Sequence, residues 1–203
     1  MTLKYAFRIT HIDNIPYIEK YGITRAASPL RDPNYVNIGD SDVIKKRASR
    51  NIKNYRLNEY IPFYLGPRSP MLYVIQHGYN GVLQVNAELI VYCVIRLADL
   101  IDGDKECIFS DGHALSALTK FYRKDQLPRI DDIVNYDDVY CPHWNSETDL
   151  DLKRRKEAEL LIKEDIEPQL VCGYVVYNET ARQRLVGTGI PVNKIVVRSS
   201  YYF

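Results

Sequence analysis

The chain has 203 residues, 46% apolar and 26% charged, with 27 Lys and Arg against 26 Asp and Glu and a formal net charge of +1. That balance excludes a disordered chain, and it excludes a bulk positive field that would draw the protein onto nucleic acid. Length and apolar content suit one domain over residues 1–203 with a sizeable core, since no hinge-like or low-complexity linker interrupts the sequence.

No stretch is apolar for long enough to span a membrane, and Lys4 and Arg8 interrupt the N-terminus before a signal-peptide core can form. The four cysteines, Cys93, Cys107, Cys141 and Cys172, lack metal-ligand spacing, so no metal site is expected. Cys93 and Cys172 lie in apolar runs that predict buried thiols, and a reduced cytoplasmic setting follows. Tyrosines number 17 against 5 phenylalanines. Their rings can stack on bases or on nicotinamide while the hydroxyls hydrogen-bond, although half-buried strand positions account for most of them.

In chain order, Tyr5-Ala6-Phe7-Arg8-Ile9-Thr10 alternates and predicts a strand ending at Thr10-His11. Asp13 or Asn14 can cap a helix with Ile15, Ile18 and Tyr21 on one face and Gly22 closing it. A strand end facing a helix start offers backbone N–H groups to phosphate or carboxamide oxygens. Residues 26–40, rich in Pro, Asn, Asp, Ser and Gly, predict a long loop of the kind that forms lids. Asp40 or Ser41 then caps a helix over 42–51, in which Arg47 lies one turn beyond Val43 and Ile44, beside the apolar face.

Residues 61–65 predict a strand that Pro62 would confine to an edge or a bulge. Gly66-Pro67 predicts a turn, and Ser69-Pro70 an N-cap with proline at the first helical position, for a helix running to about Gln76. Residues 87–97 form a nearly continuous apolar run and predict a central strand. Ile108-Phe109-Ser110 predicts a short strand opening into Asp111-Gly112-His113, residues 115–121 a helix, and 123–147 a long irregular stretch. Thr148 or Asp149 then caps a short helix carrying Lys153-Arg154-Arg155-Lys156, which feeds a strand over 159–162. A strand over 169–177, a helix over 179–185 and a strand over 194–197 follow. Helices placed irregularly between strands predict an α+β domain, not a doubly wound sheet.

The step from the basic run through Glu157 and Glu159 into apolar sequence puts a carboxylate where it is partly desolvated beside cations, and such a group can be tuned. Glu159 is therefore a functional candidate; the alternative is a solvated basic face with two acidic residues edging a strand. Lys45-Lys46-Arg47 with Arg50 makes a second cluster able to hold phosphates. A Gly-rich dinucleotide loop, a P-loop, zinc spacing and a nucleophile elbow are absent from the sequence.

Five blocks occur in order: Arg8-Ile9-Thr10-His11-Ile12-Asp13-Asn14, the basic helix with Arg47, Tyr60-Ile61-Pro62-Phe63-Tyr64-Leu65-Gly66-Pro67-Arg68-Ser69-Pro70-Met71-Leu72-Tyr73, Phe109-Ser110-Asp111-Gly112-His113, and Lys156-Glu157-Ala158-Glu159-Leu160-Leu161. In order and type they resemble the DarT family of DNA ADP-ribosyltransferase toxins over essentially the whole chain. The resemblance implies a single-domain α+β ADP-ribosyltransferase fold with split, twisted β-sheets and flanking short helices. It implies NAD as co-substrate and transfer of ADP-ribose to a base in single-stranded DNA, thymidine first and guanosine next, with nicotinamide leaving. It places the catalytic carboxylate at Glu159 and an essential arginine at Arg47. Cofactor contacts would come from Arg8, Ile9, Thr10, Tyr17, Arg25 and Arg47 beneath a loop over 30–49. The segment 113–159 would position the substrate through His113, His143, Trp144 and Arg154. Many family members carry His where Arg8 stands, and arginine can donate to a carboxamide or phosphate oxygen but cannot accept. A cognate macrodomain antitoxin that removes the modification is implied as partner.

Chemistry on a base requires a flipped nucleotide or a strand already single, and local basic clusters with tyrosines suit the latter. Two further readings stay open on the sequence: an ADP-ribosyltransferase of the same fold acting on RNA or protein, and a non-catalytic nucleic-acid-binding module. His113 can equally be a turn histidine with a satisfied hydrogen bond, and His143 and Trp144 an anchor for an irregular loop.

Overall fold

The computed structural model describes residues 1–52 and 55–203. The chain opens with β1 (Tyr5–His11) and α1 (Ile15–Tyr21), closed by Gly22 at φ 84. Only glycine fits there, because a Cβ would lie 1.9 Å from the Ile166 carbonyl oxygen. After the long loop comes α2 (Ser41–Ser49), whose Asp40 cap accepts the Asp42 and Val43 N–H groups. β2 (Asn51–Ile52) and β3 (Tyr55–Arg56) pair as a small ribbon. β4 (Tyr60–Tyr64) leads to α3 (Pro70–His77), capped by the Ser69 hydroxyl as its sequence predicts. β5 (Ile90–Arg96), α4 (Leu97–Asp102), β6 (Cys107–Ser110), β7 (Phe121–Arg123), α5 (Tyr136–Tyr140) and α6 (Leu152–Lys156) follow. β8 (Glu159–Lys163), β9 (Gly173–Val176), α7 (Glu179–Gly187) and β10 (Ile195–Val197) complete the chain.

The main sheet has eight strands in the order β10-β9-β5-β1-β4-β8-β6-β7. β1 and β5 stay in register from Tyr5↔Arg96 to His11↔Ile90, whereas β1 and β4 share the single pair Phe7↔Tyr64. The sheet is therefore two halves meeting at a seam. Leu65 N–H bonds the Ala158 carbonyl across the β4–β8 pair, so alternate residues turn their backbone to β8 and Pro62 turns its own toward β1. Proline has no N–H to offer there. Pro62 thus sits on an internal strand, not on the expected edge, and the sheet accommodates it by opening beside it.

One face of the sheet carries a continuous core that includes Ile15, Leu97, Val139, Leu160 and Leu185. The opposite face is covered in two parts. Phe7, Ile9, Leu72, Ile75 and Val94 pack beside β1 and β5, while Leu57, Tyr60, Ile108, Ala114 and Leu161 pack over β4, β8 and β6. Phe7, Tyr64 and Glu159 are in lateral register between those two clusters, so their side chains share one face at the seam. Leu160, Leu161 and Ile162 are each 0% exposed, and burial of such side chains is worth about 1.5–3 kcal/mol apiece. The strand that carries Glu159 is accordingly anchored on both faces.

Several elements differ from the sequence reading. Residues 115–121 form turns and β7 instead of a helix. Asp111 accepts the Lys120 N–H, Ser116 Oγ accepts the Leu118 N–H and the Thr119 hydroxyl donates to the His113 carbonyl, local bonds that compete with a helical ladder. The stretch 123–147 contains a 3₁₀ segment, Lys124–Asp132, and α5. The basic helix starts after Asp151, because the Asp149 carboxylate accepts the Asp151 N–H in a turn. The central strand begins at Ile90, after a 3₁₀ turn capped by Asn86, and β9 is shorter than 169–177. Cys93 is buried, but Cys172 is only partly covered. Among the described residues no helix is long and apolar enough to cross a membrane.

Candidate active site

The site is built where α6 hands over to β8. Lys156, 1% exposed, donates to the carbonyls of Pro67 at 2.7 Å and Val139 at 2.6 Å. Burial pushes its ammonium pKa down to about 8. These bonds tie the last turn of α6 to the β4–α3 turn and to α5, and they set where β8 begins.

Glu159, the first residue of β8, is 2% exposed. Its Oε1 accepts the Ala114 N–H at 2.8 Å and its Oε2 accepts Arg47 Nη1 at 2.8 Å. Its own N–H donates to Ser110 Oγ at 3.2 Å, and the Ser110 hydroxyl donates in turn to the Gly112 carbonyl at 2.7 Å. The 111–119 turn is thereby drawn onto β8. Arg154 fastens the same turn: its carbonyl accepts the His113 N–H at 3.0 Å, and its guanidinium bridges Asp151 and Asp111. A Cβ on Gly112 would lie 2.4 Å from Arg154 Nη1 and 2.8 Å from its carbonyl oxygen, so the approach needs glycine.

Arg47 comes from α2, and the contact with Glu159 distinguishes it from the exposed Arg50. Its Nη2 is buried with no hydrogen-bond partner among the described residues, beside the carboxylate. His113 is half-buried at the same place; burial lowers its imidazole pKa, while the Glu159 charge opposes the shift. Glu157 is raised to about 7, chiefly by burial and then by the Glu159 charge. Burial, followed by the charges of Glu157 and Glu159, holds the Tyr64 phenol well above its ordinary range, and its hydroxyl meets Met71 Sδ at 3.8 Å.

At the β1 side of the seam, Arg8 Nη1 donates to the Pro62 carbonyl at 3.1 Å. Leu97 N–H bonds the Lys4 carbonyl, so residues 4, 6, 8 and 10 turn their backbone to β5 and Ile9 turns its N–H and C=O toward the seam, beyond the one pair with β4. Thr10, 1% exposed, accepts Asn14 Nδ2 at 2.8 Å and lies 3.3 Å from the Tyr35 hydroxyl. Asn14 also exchanges two hydrogen bonds with the Val36 backbone, at 2.9 and 2.8 Å, and clasps the long loop across the end of β1. The Tyr17 hydroxyl donates to the Leu30 carbonyl at 2.9 Å. Arg25 is held by Asp165, which accepts its N–H at 2.8 Å, pairs with its side chain at 3.6 Å and also accepts the Ser28 hydroxyl.

Of the residues singled out in the sequence, Glu159, Arg47 and His113 are gathered at one end of the seam, with Arg8, Ile9 and Thr10 along it. Tyr17 and Arg25 hold the loop's flank. The donors of Arg154 are committed to Asp151, Asp111 and Thr119. His143 is exposed, and Trp144 joins an aromatic cluster on α3, edge-on to Tyr73 and Phe203. Ser110, Asn14 and the Ala114 N–H escaped the sequence reading: a small polar residue at a strand end and a backbone amide carry no signal of type. Among the described residues no three His, Cys, Asp or Glu side chains gather as a metal site.

Fold and site together put a buried carboxylate, held by an arginine and a backbone amide, beside a seam between the half-sheets of an α+β domain. The family model for the single-stranded DNA thymidine ADP-ribosyltransferase DarT matches residues 7–203, and the chain belongs to that family. It is 31% identical over 205 residues to a DNA ADP-ribosyl transferase of Escherichia coli O127:H6, covering 97% of this chain and 92% of that protein. It is 28% identical to a DNA ADP-ribosyl transferase of Mycobacterium tuberculosis H37Rv, covering 97% and 88%. The fold is shared with Thermus sp. 2.9 DarT in complex with ADP-ribosylated ssDNA, at a TM-score of 0.84 and 22% identity over 99% of this chain and 97% of that one. Thermosipho africanus DarTG in complex with ADP-ribose superposes at a TM-score of 0.82 with 25% identity, over 98% of this chain and 51% of that one.

Proposed function

We propose that residues 1–203 act as one domain that transfers ADP-ribose from NAD to a base of single-stranded DNA, thymidine before guanosine, with release of nicotinamide. Family membership supports the reaction, and the buried Glu159 carboxylate paired with Arg47 carries the assignment of residues.

NAD fits the chemistry of this seam. Arg47 Nη2 is a buried donor without a partner among the described residues, the Ile9 backbone points into the gap and Arg8 stands beside it. Arg8 and Ile9 would hold the carboxamide or a phosphate, while Thr10, Tyr17 and Arg25 keep the loop over the cofactor. Glu159 accepts a hydrogen bond from a ribose hydroxyl and offsets the positive charge that develops at the anomeric carbon as the bond to nicotinamide breaks. Its Oε1 stays pinned by the Ala114 N–H, so the carboxylate need not reorganise when that charge appears. Arg47 acts as an electrostatic partner for the acceptor base, which sheds a proton as it attacks. His113, His143, Trp144 and Arg154 are the residues proposed to place or support the strand.

A DNA-modifying toxin has to be restrained where it is made. A Thermosipho africanus relative, 30% identical, is a fusion of a DNA ADP-ribosyl transferase with a DNA ADP-ribosyl glycohydrolase. That arrangement supports a cognate macrodomain antitoxin for this chain, acting with it in the cytoplasm.

Incubation with labelled NAD and matched single-stranded DNA, duplex DNA, RNA and protein tests the reading. Label is expected on the single strand, on a base by mass spectrometry, and lost with Glu159→Gln. Equal labelling of RNA or of a perfect duplex would overturn the substrate assignment, and full turnover by a folded Glu159→Gln variant would overturn the site.

A further inference from the structure

α3 leaves the sheet beside the active site, since Tyr64 is in register with Glu159 and its hydroxyl meets Met71 in the first turn of that helix. The helix spans ~12 Å at 1.5 Å per residue, a few nucleotide steps of about 3.4 Å each when stacked. Over its second half and just beyond it the rings of Tyr73, His77 and Tyr79 form a triangular cluster, with Tyr73 and Tyr79 5.7 Å apart. Tyr73 and His77 have centroids 4.1 Å apart, and His77 and Tyr79 stack at 5.5 Å with planes 8° apart. Trp144 and Phe203 stand edge-on to Tyr73 at 5.6 and 5.1 Å. The cluster is open to water at its tip: His77 is exposed and Tyr79 keeps 49% of its surface exposed, whereas Tyr92 and Phe63 in the cores are sealed.

A cation borders the rings. The Arg68 guanidinium lies 4.4 Å from the Phe203 ring centroid, and its Nε is buried with no hydrogen-bond partner among the described residues. Arg68 also takes a φ of 54, a left-handed conformation that a non-glycine side chain adopts at a cost. Its backbone N–H is held by the Tyr92 hydroxyl at 3.2 Å. The turn thus sets a partly exposed guanidinium against the Phe203 ring, at the edge of the aromatic cluster and on the sheet face that carries Glu159.

We propose that this cluster is a second nucleotide site, a platform on which an unpaired base flanking the modified one stacks, with Arg68 facing the adjoining phosphodiester. The proposal rests on the single-stranded DNA reading above. Every base has a π-face, so the platform grips the strand without selecting sequence, while a duplex keeps its base faces occupied and cannot use it. It supplies grip that the chain's overall charge of +1 cannot.

The chain holds a single tryptophan, Trp144, so its fluorescence reports on the platform alone. The full chain is titrated with a single-stranded decamer, following tryptophan emission and, in parallel, the anisotropy of an end-labelled copy. Quenching is expected to saturate with the anisotropy change. An abasic decamer of equal charge is expected to bind about ten- to a hundredfold more weakly without quenching, the loss of a base–ring stack. Tyr79→Ala is expected to weaken the ordinary decamer by a similar factor, and Tyr79→Trp, with Trp144→Phe, to retain tight binding. Equal binding of the abasic strand, unchanged affinity of Tyr79→Ala, or an anisotropy change with no change in emission would overturn the platform. Absence of any anisotropy change with DNA would remove the DNA reading itself, and the platform with it.

Discussion

Arg47 Nη1 and Glu159 Oε2 stand 2.8 Å apart, with the guanidinium side chain 14% and the carboxylate side chain 2% exposed. α2, which carries Arg47, has no buried residue of its own, so this pair tethers the helix more than packing does. Lysine keeps the charge but loses the planar fork that can serve Glu159 and a ligand together. Arg47→Lys is therefore expected to lower transfer by on the order of a hundredfold, while Arg50→Lys stays close to the parent. Initial rates with labelled NAD and a single-stranded oligonucleotide check this, and equal losses in the two variants would show that the cluster acts by charge alone.

Ser110 is 0% exposed and serves both the Glu159 N–H and the Gly112 carbonyl. Ser110→Ala strands both groups, at a cost of ~1–3 kcal/mol for each buried unsatisfied one. It also releases the turn that brings the Ala114 N–H to Glu159. A fall in kcat is expected with little change in KM for NAD, alongside a lower Tm. Loss of Tm with unaltered kcat would confine Ser110 to a structural role.

Stability should fall as pH rises from 4.5 to about 7, because Glu157 is raised to about 7 in the folded state and binds more protons there than in the unfolded chain. The slope from this group is at most about 1.4 kcal/mol per pH unit. Its stabilising contribution is complete below pH 4.5 and lost through the folded value. Lys156, lowered to about 8, acts at the other end: stability rises with pH between about 8 and 10.5. Urea melts of Glu157→Gln at pH 5, 6 and 7 are expected to be flatter than those of the parent, and parallel curves would refute the assignment.

Asn14, 1% exposed, joins Thr10 on the first strand to Val36 in the long loop. Asn14→Ala cuts the clasp and leaves the loop held by Tyr17 and Asp165. KM for NAD is expected to rise about tenfold, the equivalent of 1.4 kcal/mol, with faster proteolytic cleavage within residues 26–40. An unchanged KM with an opened loop would separate the loop from cofactor binding.

The elements were legible where local rules act alone. Ser69-Pro70 capped α3 as read, Gly22 closed α1, and the apolar run around Val91 to Ile95 became a central strand. The helix read over 115–121 failed because Asp111, Ser116 and Thr119 satisfy the backbone in turns. The edge or bulge expected at Pro62 gave way to a place inside the sheet, because where its missing N–H falls depends on β1, more than fifty positions away in the chain.

What the sequence determined by itself was the type and order of its parts: a carboxylate entering an apolar strand, a basic helix, a capped α3, and the blocks that resemble one family. Those signals are local, set by side-chain chemistry and by period. Tertiary structure alone decided that Arg47 and not Arg50 meets Glu159, that Arg154 spends its donors on Asp111 and Asp151, and that Ser110 and the Ala114 amide fix the carboxylate. Apart from the local Arg154–Asp151 pair, each of these depends on segments far apart in the chain coming together, and the spacing of residues along a sequence does not encode that distance.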